Sequence, residues 1–212
     1  MRSRSLVLSV FVLCAILLAP ATTHAQGATF GVQGGINVAT VSFSAGDPTE
    51  GTPDLTSKTR GVFGVFVARD FNPKAGLQID FLYSQKGTKA SFTDGVDTFT
   101  VEPTVDYIEI PILIRGNIGG SGSVRARVFG GPSFAFKVSD DTKTTFNGVE
   151  VDDEDAEFKG YDVGFVIGGA VQFGKVFVDV RYNWGLINVV DDNSGDEAKT
   201  RTFGVMLGFQ FK

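Results

Sequence analysis

The chain has 212 residues, of which 24 are Asp or Glu and 19 are Lys or Arg, with one Cys and one His. This length suits a single domain, and the acidic balance argues against a nucleic-acid partner. After residue 25 no apolar stretch is long enough for a membrane helix. If the chain spans a membrane, it is therefore predicted to do so as a β-barrel.

The N-terminal residues have the organisation of a secretory signal peptide. Arg2 and Arg4 form a basic start, residues 6–19 are an uninterrupted apolar run, and Thr23 and Ala25 are the small residues of a cleavage site. The run is shorter than the roughly 20 residues of a spanning helix. We therefore predict cleavage after Ala25.

Cleavage divides the chain into a signal peptide, residues 1–25, and one mature domain, residues 26–212. It removes the only Cys, Cys14, and the only His, His24. The mature domain then has no disulfide, thiolate nucleophile, His base or Cys/His zinc site available. We predict that it is not an enzyme and carries no cofactor. With two arginines lost, 17 basic residues face 24 acidic ones, a net charge of −7.

Nearly every segment after Thr29 alternates apolar and polar residues or carries turn residues, which indicates an all-β chain. Most of the predicted strands have ten or more residues, close to the roughly 9–11 that a tilted strand needs to cross a bilayer. The eight predicted strands are 29–43, 61–70, 75–87, 105–117, 124–138, 160–173, 176–188 and 200–211.

The predicted connections alternate between long and short along the chain. Long connections, such as 88–104 and 139–159, follow the odd-numbered strands, and short ones such as 174–175 follow the even-numbered strands. Short periplasmic turns and longer extracellular loops are typical of outer-membrane barrels. We predict an eight-stranded antiparallel up-and-down transmembrane β-barrel.

The stretch 107–117, YIEIPILIRGN, shows most clearly which face of the strands is inside. Its isoleucines fall on every second position, so one face is apolar, while the other carries Glu109, Pro111 and Arg115. Along the other strands the polar face is mainly Gly, Ala, Ser, Asn and Gln, unlike a surface in contact with water. We predict that the apolar face contacts lipid and the polar face is enclosed.

Eight charged residues are placed on the enclosed face, and an eight-stranded barrel is just wide enough inside for side chains to fill it. They are Asp80, Glu109, Asp162, Asp179, Arg115, Arg125, Arg127 and Arg181. Four acids balance four bases, as an internal salt-bridge network requires, since buried charges are costly unless paired. We favour this network over an ion path lined by the same groups, and expect Glu109 to pair with Arg125, Arg127 or Arg181.

Pro111 is unusual inside a closed barrel. It cannot donate to the ladder of backbone hydrogen bonds, and a closed barrel has no free edge on which to place it. We therefore predict a local β-bulge at Pro111.

Six segments in order along the chain resemble the PorT-like outer-membrane β-barrel domain family, common in Bacteroidetes and related bacteria. They are LQIDFLYSQKG (77–87), DYIEIPILIRGN (106–117), VFGGPSFAF (128–136), YDVGFVIGGAVQF (161–173), VFVDVRYNWGL (176–186) and FGVMLGFQF (203–211). The resemblance implies an eight-stranded outer-membrane barrel, mostly without a defined activity. It also implies recognition of the C-terminal strand by the outer-membrane insertion machinery, although here Lys212 follows the terminal aromatic Phe211.

The expected function is that of a monomeric outer-membrane barrel with a plugged interior and a surface role, in membrane integrity, adhesion or loop-mediated interaction. Outer-membrane lipid and lipopolysaccharide are the expected partners. Two alternatives stay open: a narrow pore for small solutes or ions, and a secreted soluble lipocalin-like carrier whose apolar face points inward.

Clustered carboxylates in the acidic loop after the seventh predicted strand are weak calcium candidates, because Ca²⁺ takes oxygen ligands. They are Asp191, Asp192, Asp196 and Glu197. Their spacing lacks that of a full EF-hand, and a solvated acidic loop is the favoured interpretation. No metal is therefore predicted.

Overall fold

The computed structural model describes residues 27–44, 54–119, 123–151, 159–188 and 197–211, so the predicted signal peptide lies outside the described residues. No helix in these ranges is long and apolar enough to cross a membrane. The strands are β1 (Thr29–Ser44), β2 (Asp54–Asn72), β3 (Ala75–Asp94), β4 (Asp97–Gly119), β5 (Val124–Phe146), β6 (Val149–Val151), β7 (Tyr161–Phe173), β8 (Val176–Gly185) and β9 (Glu197–Phe211).

Eight of these strands close into a ring. Neighbours pair antiparallel in the order β1, β2, β3, β4, β5, β7, β8 and β9, and β9 pairs back with β1. The short β6 pairs with the upper end of β5 and stays outside the ring. The predicted eight-stranded up-and-down barrel is confirmed, and closure leaves the ring without a free edge.

The outer face of the ring is apolar, as predicted. The most exposed side chains include Ile114, Leu207 and Phe63, at 67%, 60% and 60%, whereas Glu109 is 6% exposed. We call the end of the barrel opposite the short turns 73–74 and 174–175 the long-loop end. Toward it the outer face carries Tyr182 and Trp184, whose rings meet edge to face with centroids 4.6 Å apart. An apolar belt that ends in amphipathic aromatic residues is typical of a surface in contact with lipid.

The predicted long loop 88–104 is instead a continuation of the wall. β3 and β4 extend through it and are joined by a turn at Gly95 and Val96, where Gly95 has φ 61°. Its β-branched and aromatic residues, such as those of 98–101, fit a pleated surface, and a glycine with positive φ fits the tight turn. The predicted end of β3 at residue 87 and the predicted start of β4 at residue 105 are therefore wrong, and both strands extend further toward the turn.

The predicted loop 139–159 likewise begins as strand. β5 continues to Phe146, and a tight turn with positive φ at Asn147 and Gly148 leads into β6. The extra lengths of β2 to β6 therefore stand beyond the lipid-facing belt on one side of the barrel. We call residues 54–60, 88–106 and 139–151 the projecting wall. On the other side β8 stops at Gly185, short of the predicted end at 188.

The predicted bulge at Pro111 is wrong. β4 keeps one register with β3 from Ile112 to Glu109, and Pro111 itself pairs with Ser133 of β5. The ladder with β3 is only interrupted at Ile110 and Pro111, because proline cannot donate a backbone hydrogen bond. The barrel thus tolerates Pro111 by omitting a local pairing, with the ring fully buried in the interior.

Candidate functional site in the barrel interior

The half of the interior nearest the short turns is filled by apolar side chains, which we call the apolar plug. Phe66 and Phe177 meet edge to face, with ring centroids 5.5 Å apart. The other members are a second residue of β2 and four residues of β4, β5 and β7. The plug consists of Phe66, Ala68, Leu113, Phe129, Val166, Ala170 and Phe177.

Each phenylalanine of the plug lies directly opposite a glycine on the neighbouring strand. The pairs are Phe66 with Gly31, Phe129 with Gly168, and Phe177 with Gly208. A Cβ atom on these glycines would fall 2.3, 2.6 and 2.0 Å from the respective rings. Since such distances are far inside van der Waals contact, only glycine leaves room for the rings. These glycines are therefore sockets for interior rings.

A buried charged group, which we call the buried triad, lies beside the plug at the same level, since Asp80 pairs in register with Phe66 and Asp179 with Ala170. Arg181 donates to Asp80 at 2.9 Å and to both carboxylate oxygens of Asp179 at 2.8 and 2.9 Å. Gln78 donates to the second oxygen of Asp80 at 2.7 Å. The Arg181 guanidinium also lies 5.3 Å from the ring centroid of Phe129. One guanidinium is thus shared by two carboxylates, and each charged group of the triad is hydrogen-bonded, as burial demands.

Glu109 has a different partner from those expected. Lys86 lies 3.3 Å from one of its oxygens, while Ser133 and Asn183 donate to the other at 2.9 and 2.6 Å. Arg181, one of the expected partners, already binds the two aspartates. Lys86 was missed because it lies near a predicted strand end, although it keeps the inward alternation of β3.

Arg115 and Arg127 lie at the opposite, short-turn end of the interior. Arg115 forms a 2.7 Å ion pair with Asp70, another residue that the sequence analysis missed. Arg127 donates to Gln172 at 2.6 Å, and its guanidinium lies 5.7 Å from the Phe177 ring centroid. Arg115 lies six residues from Glu109 along β4, about 20 Å at roughly 3.3 Å per residue, and Arg127 pairs in register with Asn117, further still toward the short turns, which explains why neither pairs with Glu109.

Two further residues of the predicted charged set lie apart from the others. Asp162 is buried near the long-loop end and accepts a 2.8 Å hydrogen bond from Thr200. Arg125, by contrast, is exposed, so its placement inside the barrel is wrong. It keeps the inward alternation of β5, but it comes at the second residue of the strand, where the interior opens to solvent.

A small cavity lies within the polar part of the interior. A cavity of about 20 Å³ lies next to Glu109 and Arg181 and is also lined by Asn37, Ser84 and Asn183. This is room for about one water molecule. Side chains therefore pack closely around Glu109 and Arg181.

No metal site is found among the described residues, where no three His, Cys, Asp or Glu residues come together to hold an ion. The weak calcium candidates Asp191, Asp192 and Asp196 lie outside the described residues, as does the side chain of Glu197.

Comparison with known proteins gives one family and several similar folds. Residues 23–191 match the outer membrane protein beta-barrel domain family. No curated protein matches the chain.

Among solved structures, Ail, the attachment invasion locus protein of Yersinia pestis, is 14% identical with a TM-score of 0.41, and the match covers 88% of this chain and 100% of Ail. Neisserial surface protein A is 14% identical with a TM-score of 0.43, over 88% and 100% of the two chains. OprG from Pseudomonas aeruginosa is 10% identical with a TM-score of 0.46, over 86% and 95%. The outer membrane enzyme PagL is 10% identical with a TM-score of 0.35, over 86% and 99%.

Proposed function

Because the chain belongs to the outer membrane protein beta-barrel domain family, we propose that it acts at the cell surface as a closed structural barrel. It is an integral β-barrel protein of the bacterial outer membrane. The proposed role is membrane integrity, adhesion or interaction through its external segments. The observation that carries this proposal is the apolar plug, a cluster of buried side chains inside the barrel in which Phe66 and Phe177 pack edge to face.

The projecting wall supports a surface role. Its strands are held by regular pairing well beyond the apolar belt, from Asp97–Asp94 at the tip to Thr104–Gly87 near its base. Lys58 and Lys89 also bind Glu102 across three strands, at 2.7 and 3.2 Å. An ordered sheet outside the membrane offers a partner a rigid surface, which is favourable because less ordering accompanies binding.

Several finer features belong to this proposal. Within the family the chain is assigned to the PorT-like barrels, and residues 1–25 act as a cleaved export signal. The insertion machinery recognises β9, the barrel is a monomer, and it catalyses no reaction. The soluble-carrier alternative requires an apolar interior and a polar exterior. The outward-facing Ile108 and Ile114 of β4, exposed at 40% and 67%, have the opposite arrangement.

Gel mobility and surface proteolysis together test the proposal. A folded barrel is expected to run faster before boiling than after it. Protease added to intact cells is expected to cut near the tip of the projecting wall, at 94–97, and to leave the short turn at 72–75 intact. A mobility that does not change on boiling, or cutting only in lysed cells, would contradict a surface barrel.

A narrow pore is the second candidate, favoured by the polar long-loop half of the interior. There Asn37 donates to Ser84 at 2.9 Å, and Lys86 pairs with Glu109. Single-channel recording separates the two functions. The closed barrel predicts no steady conductance for the native chain and a new conductance for the double variant Phe66→Ala and Phe129→Ala. Steady conductance by the native chain would favour the pore.

A further inference from the structure

A group of basic residues lies on the outer face of the barrel, just beyond the apolar belt. Lys58 and Arg60 come from β2, Lys89 from β3 and Lys143 from β5. Lys143 pairs in register with Glu102 of β4, so the two side chains share one face of the sheet. A bulge in β2 between residues 57 and 62 changes the direction of its side chains there. We call these four residues the basic patch.

The alternation of β3 shows that the basic patch faces outward. Gly87 and Lys89 lie on the same face as Tyr83, whose ring packs 5.2 Å from that of the exposed Phe63. A Cβ atom on Gly87 would be 3.4 Å from Nε of Arg60. The missing side chain at Gly87 therefore lets Arg60 lie across β3 on the outside of the barrel.

The charges of the basic patch are only partly neutralised by the protein. Lys58 and Lys89 share the single carboxylate of Glu102, at 2.7 and 3.2 Å. Arg60 donates to the neutral hydroxyl of Thr104 at 2.9 Å, and its Nε is buried without a hydrogen-bond partner. Lys143 is exposed.

Two aspartates nearby limit the positive charge of this face. Asp106 lies closer to the membrane, and its oxygens accept hydrogen bonds from Tyr83 at 2.6 Å and Gln85 at 3.1 Å. Asp141 pairs in register with Thr104. Three lysines and one arginine thus face three carboxylates, one of which already accepts hydrogen bonds from neutral donors. The basic patch therefore keeps an excess of positive charge.

The height of the basic patch relative to the membrane indicates its partner. Tyr83 and Phe63 mark the edge of the apolar belt, and Gly87 lies four residues further along β3. That is about 13 Å of strand at roughly 3.3 Å per residue, and less in height because strands tilt. Headgroup layers extend about 5–8 Å beyond the hydrocarbon on each side. At a tilt of roughly 35–45° the strand distance is about 10 Å in height, so Arg60 lies at the outer boundary of the headgroup layer, and its long side chain reaches the headgroup phosphates.

We propose that the basic patch binds the phosphate groups of lipopolysaccharide in the outer leaflet. Guanidinium and ammonium groups are the side chains that recognise phosphate, and arginine does so through paired N–H donors. The patch lies at the long-loop end, which faces the cell exterior under the proposed function, on which this assignment rests. Lipopolysaccharide is the phosphate-bearing lipid of that leaflet.

Lipid A binding to the purified barrel in phosphatidylcholine nanodiscs tests this proposal. The double variant Arg60→Gln and Lys89→Gln is expected to lower the affinity for bisphosphorylated lipid A at least tenfold. The matched control is Lys74→Gln with Lys175→Gln, which removes the same charge from the exposed short-turn end. We expect the control to bind lipid A like the native chain. Unchanged binding by the first variant, or equal losses in both, would overturn the proposal.

Two more arms identify the ligand. Dephosphorylated lipid A is expected to bind the native barrel as weakly as bisphosphorylated lipid A binds the Arg60 and Lys89 variant. Equal affinity for the two lipids would show that phosphate is not recognised. Inorganic phosphate is expected to compete only weakly, and full competition at equal concentration would replace the lipid by free phosphate as the ligand.

Heat-modifiable mobility of each variant verifies that the barrel is folded. The outcome is also separable from that of the proposed function. Protection of residues 94–97 in intact cells would overturn the surface role, while the lipid A measurements on the purified barrel would still give their own result.

Discussion

The two halves of the barrel interior are stabilised in different ways. Toward the short turns, Phe66, Phe129 and Phe177 fill the space, and each needs a glycine opposite to accommodate its ring. Toward the long loops, charged groups such as Glu109 and Lys86 are held by specific partners. The first half depends on shape, and the second on ion pairs and hydrogen bonds between buried polar groups. A barrel this narrow can therefore be closed by either means, with different consequences for substitution.

Arg181 joins the two halves. Its guanidinium lies over Phe129 of the apolar plug and binds both Asp80 and Asp179. The two carboxylates have almost no exposure, at 0% and 2%. A loss of Arg181 would therefore leave two buried carboxylates without their counter-charge.

The largest effect is expected for Arg181→Met. Breaking a buried ion pair by removing one partner costs about 3–5 kcal/mol, because the other charge stays buried and uncompensated. We expect a loss of this size in the free energy of unfolding in urea, measured in phospholipid vesicles by fluorescence of Trp184. The neutral triple variant with Asp80→Asn and Asp179→Asn is expected to recover at least half of it. A loss below about 1 kcal/mol for the single variant would contradict a critical role of the triad.

The next effect compares the inner and outer faces of β4. Ile112→Arg places a charge on the lipid-facing side and is expected to cost about 2–4 kcal/mol. Glu109→Leu is expected to cost less, because the flexible side chain of Lys86 lies near the long-loop end and can turn its ammonium group toward water, which the buried carboxylates of the triad cannot do. The same vesicle unfolding measurement compares them. Equal losses in the two variants would argue against the assigned orientation of the strand.

The orientation of β4 could be predicted from sequence because it depends on a period of two. Isoleucines at alternate positions define one face whatever their neighbours are, and the strand count and closure follow from similar patterns. The structure at Pro111 could not be predicted in this way, because the sequence shows only that proline lacks a backbone N–H donor. Whether a strand responds by a bulge or by omitting a pairing depends on both neighbouring strands.

The contents of the interior could be predicted only in part, because partners are set by register between strands distant in sequence. Alternation placed Asp80, Asp179 and Arg181 on one face, but it did not show which strands bring them within 3 Å. The apolar plug was missed for a related reason. Phe177 and Gly208 are each unremarkable in their own strands, and their fit is visible only when the two are paired.

A smaller effect is expected when a glycine socket of the apolar plug is filled. Gly208→Ala would place a Cβ atom 2.0 Å from the Phe177 ring, so the ring must move, at a cost of about 1–3 kcal/mol. The control is Gly34→Ala on the outer face, where the nearest atom is 3.4 Å away and little loss is expected. Combining Gly208→Ala with Phe177→Ala should give less than the sum of the single losses in vesicle unfolding. Strict additivity would indicate that the pair does not interact.

The smallest effect concerns the ion pair between Lys58 and Glu102, which lies outside the membrane. Water solvates the two charged groups there, so the pair contributes less than a buried one. A hydrogen bond from Lys58 holds the pKa of Glu102 below its usual range, although partial burial opposes this. A carboxylate with a lowered pKa stabilises the fold above its unfolded pKa of about 4.3. That contribution is lost as the pH falls through the lower folded value.

We therefore expect residues 88–106 of the projecting wall to lose hydrogen-exchange protection below pH 4, relative to Glu102→Gln, which lacks this titration. Because the contact is partly solvated, the difference should stay below about 1 kcal/mol, in contrast to the buried triad. A change as large as that of Arg181→Met would mean that the projecting wall is as poorly hydrated as the interior. An identical pH response in the native chain and the glutamine variant would show that the Lys58 contact contributes nothing to the wall.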